Sequence, residues 1–254
     1  MWRPVPDPIR HDSLVLHAFR GVYKEGPAGL QPFRANCLGK LVIFFRFTKG
    51  AADRMSILRV AGFEIHREFL DGAAQLDLLA VLREVVRHAP LLDPVTPRGA
   101  RMSVRMTAAG IYGWISDRAG YRYEPKHPTG VPWPPIPEPV LAIWRQVSGV
   151  SRQPECCLVN FYGEGARMGL HQDKDEADFE WPVVSVSLGD DALFRMGGAA
   201  RSDPTQSLWL RSGDVVVMGG QARRALHGVD RIRFRSSGLL PQGGRINLTL
   251  RVVK

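Results

Sequence analysis

Apolar and polar residues alternate along RINLTLRVV, residues 245–253. In a β-strand, successive side chains point to opposite faces. One face of this segment is apolar and carries Ile246, Leu248, Leu250 and Val252. The other face is polar and carries Arg245, Asn247, Thr249 and Arg251. The pattern predicts a strand with one face packed against an apolar core.

Several short strands are predicted between Cys156 and this segment. Val184, Val186 and Leu188 alternate with serines, and residues 208–210 and 215–218 flank a turn at 212–214, which predicts a hairpin. No helical pattern separates these strands. Closely spaced short strands without helices between them favour an antiparallel sandwich or jelly roll, so we expect a mainly β protein with flanking helices.

The flanking helices are predicted upstream of Cys156. Leu76, Leu79, Leu82 and Val86 form one helical stripe between a possible N-cap, Asp71, and Pro90, which predicts a helix over 72–88. A loop-rich stretch from Arg101 precedes a second, short helix near 138–147. Aromatic residues concentrate here, namely Tyr112, Trp114, Tyr121, Tyr123, Trp133 and Trp144. They are read either as a cover packed on the domain, the commoner use, or as a stacking surface for flat ligands.

Length and composition limit the classes of protein. A chain of 254 residues with 44% hydrophobic and 23% charged residues is expected to form a core, either as one large domain or as one domain plus an appendage. The longest apolar run, 38–47, is interrupted by Lys40 and Arg46 and is shorter than the roughly 20 residues that cross a bilayer. Three cysteines provide no disulfide framework. We therefore expect a monomeric cytoplasmic protein without a membrane segment.

The formal charge of +9 suggests a polyanionic partner, and its distribution is uneven. Residues 222–254 contain eight basic residues and one acidic residue, and 1–54 contain nine and four. We read the basic stretch Arg223–Arg235 as a phosphate-facing patch. Residues 1–54 lack regular periodicity and are predicted to be a poorly ordered basic extension. Translation from a mis-assigned upstream start is favoured over a nucleic-acid-binding arm.

The segment LHQDKD, residues 170–175, carries the most informative polar pattern. On a strand His171, Asp173 and Asp175 project to one side, about 6.6 Å apart in successive pairs. His227, which Gly228 follows at a possible sharp turn, is the best third ligand. Two histidines and one carboxylate would occupy one face of an octahedron, as in non-haem Fe(II) oxygenases. Alone, a His-x-Asp pattern is more often a polar surface run.

The two arginines of the 245–253 segment support the metal interpretation. Their Cα atoms would lie about 20 Å apart, so their guanidinium groups could approach to roughly 7 Å. That gap matches a short dicarboxylate held by charge-assisted pairs at both ends. A solvated strand face is the alternative. Oxygenases of this type need a 2-oxo acid as a source of electrons, so the two features are consistent with each other.

Around these motifs the sequence resembles the AlkB-type Fe(II)/2-oxoglutarate dioxygenases, including the bacterial DNA-repair members, which oxidatively remove alkyl groups from nucleic-acid bases. The resemblance covers about residues 55–253. It is densest in Asn160–Tyr162, Leu170–Glu176, Val183–Gly189, Gly213–Gly220, His227–Gly228 and Arg245–Arg251. It implies a double-stranded β-helix, a cupin-like jelly roll, in a dioxygenase domain over 55–254. A nucleotide-recognition lid at about 100–135 is part of that domain.

The resemblance also implies roles for individual residues. Iron(II) is the implied cofactor, 2-oxoglutarate and O₂ are co-substrates, and the implied metal ligands and catalytic residues are His171, Asp173 and His227. The implied binding residues for 2-oxoglutarate are Arg245 at the distal carboxylate, Arg251 at the 2-oxo acid end, and Asn160, Tyr162 and Asn247 as hydrogen-bonding partners. Those for the substrate base are Trp114, Tyr121, Tyr123, Asp175 and Arg201. Met218 and Ile246 replace a family tryptophan and tyrosine, from which we expect altered packing and retained chemistry.

The activity implied is demethylation of bases such as 1-methyladenine and 3-methylcytosine in single-stranded or damaged DNA. Decarboxylation of 2-oxoglutarate would be coupled to methyl hydroxylation, with release of formaldehyde, succinate and CO₂. Such bases are cationic, so a carboxylate such as Asp175 and an aromatic ring would favour them. Two alternatives remain open: a 2-oxoglutarate oxygenase acting on RNA, protein or a small metabolite, and a non-catalytic nucleic-acid-binding jelly roll.

Overall fold

The structure is a computed structural model that describes residues 56–254. The predicted extension over 1–54 lies outside the described residues. The described strands are β1 (Ile57–Val60), β2 (Phe63–His66), β3 (Val104–Gly110), β4 (Gly113–Asp117), β5 (Gly120–Glu124), β6 (Cys156–Tyr162), β7 (Met168–His171), β8 (Val183–Gly189), β9 (Asp191–Met196), β10 (Gln206–Leu210), β11 (Val215–Met218), β12 (His227–Arg233) and β13 (Arg245–Arg251). The α-helices are α1 (Gly72–His88) and α2 (Glu138–Val147).

The strands form two main sheets and a separate hairpin. The larger sheet has seven strands in the order β1-β2-β11-β8-β13-β6-β3, and the smaller has four in the order β10-β9-β12-β7. Strands β4 and β5 pair only with each other. All of these pairings are antiparallel. The mainly β, jelly-roll architecture with flanking helices is therefore confirmed.

Strand β13 lies between β8 and β6 in the larger sheet, and its two faces have the predicted composition. Ile246, Leu248 and Leu250 pack in an apolar core that includes the buried residues of α1 and α2. The polar face points to the cavity between the two sheets. The alternation is confirmed, but the polar face is not solvated, since Arg245 is only 1% exposed.

Both predicted helices are present with the predicted bounds. The Asp71 side chain accepts a hydrogen bond from the Ala74 N–H at 2.8 Å and so caps α1. The prediction that Leu76 belongs to the buried stripe was wrong, because its side chain is 43% exposed. It lies about 120° around the helix from buried Leu82, outside the stripe that Leu78 and Val85 extend. None of the helices in residues 56–254 is long and apolar enough to span a membrane.

The predicted hairpin over 208–218 was wrong. Strand β10 pairs with β9 in the smaller sheet, whereas β11 pairs with β2 and β8 in the larger one. The turn at 212–214 therefore carries the chain from one sheet to the other. Gly213 has φ +91°, and a Cβ there would lie 2.5 Å from the Leu70 carbonyl oxygen. Buried Asp214 accepts hydrogen bonds from Glu68 N at 2.9 Å and from Arg67 Nη1 at 2.5 Å, which fixes the corner.

Candidate metal and co-substrate site

A cavity of about 560 Å³ separates the two sheets. The polar face of β13 forms one wall, and residues of β7, β9 and β12 form the opposite wall. Twelve of the thirteen site residues predicted from the sequence line it, namely Trp114, Tyr121, Asn160, Tyr162, His171, Asp173, Asp175, Arg201, His227, Arg245, Asn247 and Arg251. The exception is Tyr123, whose hydroxyl contacts two of the lining residues, Arg251 and Glu176.

The three predicted metal ligands meet at one end of this cavity. His171 is the last residue of β7, His227 is the first of β12, and the two residues are directly paired across the strands. Asp173 follows β7 by two residues. Its carboxylate oxygens lie 3.8 Å from His171 Nε2 and 3.9 Å from His227 Nε2. One ligand atom from each residue lies within 4.8 Å of the other two, so one ion could contact all three.

The surroundings of the triad fit a divalent metal. His171 Nδ1 lies 2.9 Å from the Gly169 carbonyl, and His227 Nδ1 lies 3.1 Å from the Ala225 carbonyl. A proton on each Nδ1 would be donated to these carbonyls, which leaves the Nε2 lone pairs for a metal. Asp173 Oδ2 is buried with no hydrogen-bond partner in the described residues. A buried acceptor without a partner is costly, and a cation would satisfy it.

The protonation states of His227 and Asp173 also suit metal binding. Burial lowers the pKa of His227 to about 4, so its imidazole is neutral at physiological pH. Burial alone would raise the pKa of Asp173, but the Arg251 guanidinium and the two histidines hold it below its usual range. His227 and Asp173 therefore present a neutral imidazole and a carboxylate.

Gly228 does not form the predicted sharp turn. It lies inside β12, and a Cβ at this position would lie 2.6 Å from the Met168 carbonyl oxygen. The glycine is needed because the backbone of β7 approaches β12 closely at the metal end. The absence of a side chain thereby keeps His171 opposite His227.

Arg245 lies on the larger-sheet wall of the cavity and retains unused hydrogen-bonding capacity. Its Nη2 donates to Ser187 Oγ at 2.8 Å, while its buried Nε has no partner in the described part of the chain. Asn160 Oδ1 is likewise buried and without a donor. Asn247 donates to Ser185 Oγ at 2.8 Å. Burial raises the pKa of the Tyr162 hydroxyl to about 12, so it remains a potential donor.

Arg251 is surrounded by partners. Its Nη2 donates to Asp173 Oδ1 at 2.8 Å, and its Nη1 donates to the Tyr123 hydroxyl at 3.2 Å. Its Nε makes no hydrogen bond in the described residues but lies within ion-pair distance of Glu176 Oε1, at 3.6 Å. Tyr123 also donates to Glu176. Burial alone would lower the pKa of Arg251, but Asp173, Tyr123 and Glu176 together raise it well above its usual value. Arg251 thus holds the metal-ligating carboxylate in place.

Arg223 and Glu176 belong to the same buried network, and sequence reasoning missed both roles. Arg223 Nη2 lies 3.0 Å from Glu176 Oε2, and Nη1 donates to the Asp173 carbonyl at 2.8 Å. Arg223 is only 3% exposed, so it cannot belong to a phosphate-facing surface, and that prediction was wrong for this residue. The one sequence feature that could have pointed to Glu176 is its position at the end of the 170–176 segment. Its inward orientation, however, depends on the contact with Arg223, which is distant in sequence.

Aromatic residues of the β4–β5 hairpin border the cavity. The rings of Trp114 and Tyr121 stack with centroids 5.4 Å apart at 14°. Trp114 Nε1 donates to Asp175 Oδ2 at 2.7 Å, which joins the hairpin to the segment that contains His171 and Asp173. Trp133 and Trp144 are instead buried as cover. The cover interpretation therefore holds for Trp133 and Trp144, whereas a ligand-stacking role for Trp114 and Tyr121 stays a prediction.

The remaining predicted positions are consistent with this arrangement. Arg201 is exposed beside the cavity, and its Nη2 donates to the Leu170 carbonyl at 3.4 Å. Met218 is buried and lines the cavity, whereas Ile246 packs in the helix-side core. The packing that these two substitutions alter therefore lies on opposite sides of the larger sheet.

Comparison with known proteins places this arrangement in a broader context. A family model described as the 2OG-Fe(II) oxygenase superfamily matches residues 62–251. An alpha-ketoglutarate-dependent dioxygenase AlkB homolog of Caulobacter vibrioides is 53% identical over 193 residues, which covers 76% of this chain and 88% of the relative.

A second relative and a solved structure extend the comparison. The alpha-ketoglutarate-dependent dioxygenase AlkB of Escherichia coli is 41% identical over 198 residues, covering 75% of this chain and 90% of that protein. The solved structure titled "The structure of OsALKBH1" is 30% identical with a TM-score of 0.65. That match covers 78% of this chain and all of the solved one.

Proposed function

Because the chain belongs to the 2OG-Fe(II) oxygenase superfamily and to its AlkB-type dioxygenases, we propose that it oxidatively demethylates alkylated nucleic-acid bases. Iron(II) is the cofactor, and 2-oxoglutarate and O₂ are co-substrates. The proposed lesions are 1-methyladenine and 3-methylcytosine in single-stranded or damaged DNA. The catalytic domain spans 55–254, and its lid spans about 100–135.

The proposed reaction balances without a further reductant. Decarboxylation of 2-oxoglutarate gives CO₂ and succinate, which takes one oxygen atom of O₂, and the other oxygen atom hydroxylates the methyl group. The resulting hydroxymethyl adduct releases formaldehyde and the repaired base. His171, Asp173 and His227 would hold the iron, which when bound supplies the activation of O₂.

The residues of the larger sheet would orient 2-oxoglutarate. The unused Nε of Arg245 and its neighbouring Nη group suit the distal carboxylate, because a guanidinium binds a carboxylate with two parallel hydrogen bonds. Asn160, Tyr162 and Asn247 would complete the polar wall. Arg251 would act at the 2-oxo acid end, where it already fixes Asp173.

The stacked hairpin and Asp175 would hold the methylated base. A base methylated at a ring nitrogen carries positive charge, which Asp175 and the Trp114–Tyr121 pair would stabilise. Tyr123 would support this lid through Glu176, and Arg201 would line the lesion pocket. The base must leave its stack to reach the cavity, which costs least in a single strand or at a lesion that blocks pairing.

One observation carries the proposal: a buried His-Asp-His cluster shares a cavity with buried Arg245, which forms no ion pair in residues 56–254 and whose Nε has no hydrogen-bond partner there. A non-catalytic jelly roll would need neither the buried His-Asp-His cluster nor the buried arginine. The exposed arginines and the aromatic hairpin favour nucleic acid over a protein or metabolite substrate. We also propose that the protein is a cytoplasmic monomer; the free, buried thiols of Cys156 and Cys157 support a reducing compartment.

The test incubates the protein with Fe(II), 2-oxoglutarate, O₂ and a single-stranded oligonucleotide that carries 1-methyladenine or 3-methylcytosine. We expect repaired base and formaldehyde in equal amounts. His171→Ala should abolish turnover and Fe(II) binding, because it removes one metal ligand. His88→Ala, which changes an exposed histidine on α1, is the control and should retain both. Succinate formation with RNA, protein or a metabolite, and none with methylated DNA, would overturn the substrate assignment.

A further inference from the structure

A cluster of arginines surrounds one tryptophan on the smaller sheet, on the side away from the cavity. The Arg233 guanidinium lies 4.3 Å from the centroid of the Trp209 ring, and that of Arg231 lies 5.6 Å from it. Both arginines are exposed, and Trp209 is half-buried. We call these three residues the Trp209 patch.

Strand register places the patch on the outer face of the sheet. Leu193 of β9 is paired with Trp209 of β10 on one side and with Arg231 of β12 on the other. Phe194 and Val229 belong to the opposite face and line the cavity. The patch is therefore separate from the proposed catalytic site, with the thickness of one sheet between them.

The patch carries more positive than negative charge. Arg233 lies 3.2 Å from Asp191, so its charge is partly balanced. Among residues 56–254, Arg231 forms no ion pair, and its recorded partner is the Trp209 ring. Exposed Arg235 lies two residues beyond Arg233. An acidic ligand would therefore find favourable charge on this face.

We propose that the Trp209 patch binds backbone phosphates of the nucleic-acid strand whose alkylated base enters the cavity. This inference rests on the proposed function, since it assigns a second contact to the same substrate. The guanidinium groups already lie near the indole ring, so the ring supports them and is not a stacking platform for a base. An arginine held against a ring loses less side-chain freedom when its N–H groups bind a phosphate.

The location of the patch predicts a dependence on strand length. His227 begins β12 at the metal end, and Arg233 lies six residues further along, about 20 Å away at 3.3 Å per residue. At about 3.4 Å per stacked nucleotide, that distance corresponds to roughly six nucleotides. A 20-nucleotide strand with its base in the cavity reaches the patch, whereas a 5-nucleotide strand with a central base does not.

The test uses single-stranded DNA of 20 and of 5 nucleotides with a central 1-methyladenine, the base that the proposed function places in the cavity. Fluorescence anisotropy measures the affinity of the full chain for each strand, without O₂, at several salt concentrations. Each phosphate contact contributes about 0.7 to the slope of log affinity against log salt for single strands. Arg231→Ala combined with Arg233→Ala should therefore reduce the slope for the 20-mer by about 1.4. The slope for the 5-mer should not change.

The control removes the same charge from the opposite side of the molecule. Arg87 of α1 and Arg145 of α2 are exposed and paired with Glu84 and Glu138. Arg87→Ala combined with Arg145→Ala should leave both slopes unchanged, and thermal unfolding should show that both double variants are folded. Equal slopes for wild type and patch variant with the 20-mer would overturn the inference. This is the result expected if the patch binds an acidic protein and not DNA.

A decrease of the same size in the helix control would show only a general charge effect and would also overturn the inference. Turnover plays no part in this measurement. Absence of demethylation would therefore count against the proposed function, and an unchanged salt slope would count against the patch.

Discussion

Arg245 and Arg251 lie on the same face of β13, and both are buried, yet their surroundings differ. Arg251 contacts Asp173, Tyr123 and Glu176. Arg245 donates to the Ser187 hydroxyl and, at 3.5 Å, to the Asp190 carbonyl, and within residues 56–254 it forms no ion pair. A buried charge without adequate partners is costly. A site that retains one is therefore shaped for a ligand that the protein itself does not provide.

The difference changes the initial picture of a symmetric clamp with two equivalent arginines. Arg245 is available to a carboxylate, whereas Arg251 is already part of a network that fixes the metal-ligating Asp173. The two arginines should therefore respond differently to the same substitution, one in protein stability and the other in ligand binding.

Arg251→Met should produce the largest change in stability. It would leave Asp173 and Glu176 buried with fewer partners, and breaking a buried ion pair typically lowers the free energy of unfolding by about 3–5 kcal/mol. Arg245→Met, the matched variant on the same strand, should lower it by about 1.5 kcal/mol or less, because it removes no ion pair but only a hydrogen bond to the Ser187 hydroxyl and a long one, 3.5 Å, to the Asp190 carbonyl. Urea unfolding of the metal-free protein measures both. Equal losses would contradict the distinction between the two arginines.

Tyr123→Phe should produce a smaller effect at the Arg251 end. It removes the hydroxyl that joins Arg251 to Glu176, and the loss of such a hydrogen bond typically lowers the free energy of unfolding by about 1 kcal/mol. Tyr121→Phe, on the same strand but with its ring stacked on Trp114, is the control and should change stability less. If the two variants were equally stable, the Tyr123 hydroxyl would have no part in the network.

Local patterns predicted much of this fold and site. The bounds of α1 followed from Asp71 and Pro90, and the two faces of β13 followed from strict alternation. The spacing of His171 and Asp173 pointed to a metal, although strand β7 ends at His171 and Asp173 lies in the segment that follows it. In each case the information lies within a few neighbouring residues.

The remaining features depend on contacts between distant parts of the chain. The hairpin prediction over 208–218 failed because the partner of β10 is β9, and the turn between β10 and β11 crosses between the sheets. Arg223 was assigned to a surface because nothing near it in sequence shows that Glu176 and the Asp173 carbonyl receive its guanidinium. Burial of a charged side chain is decided by tertiary partners.

The central claim is that Arg245 receives the distal carboxylate of 2-oxoglutarate beside the His171–Asp173–His227 metal site. The most direct measurement compares the binding of 2-oxoglutarate with that of 2-oxobutyrate, which lacks this carboxylate, to Fe(II)-loaded protein without O₂. Wild type should prefer 2-oxoglutarate on the order of 100-fold, since a buried charge pair contributes about 3 kcal/mol. Arg245→Met should bind the two acids with similar affinity. An undiminished preference in that variant would contradict the claim.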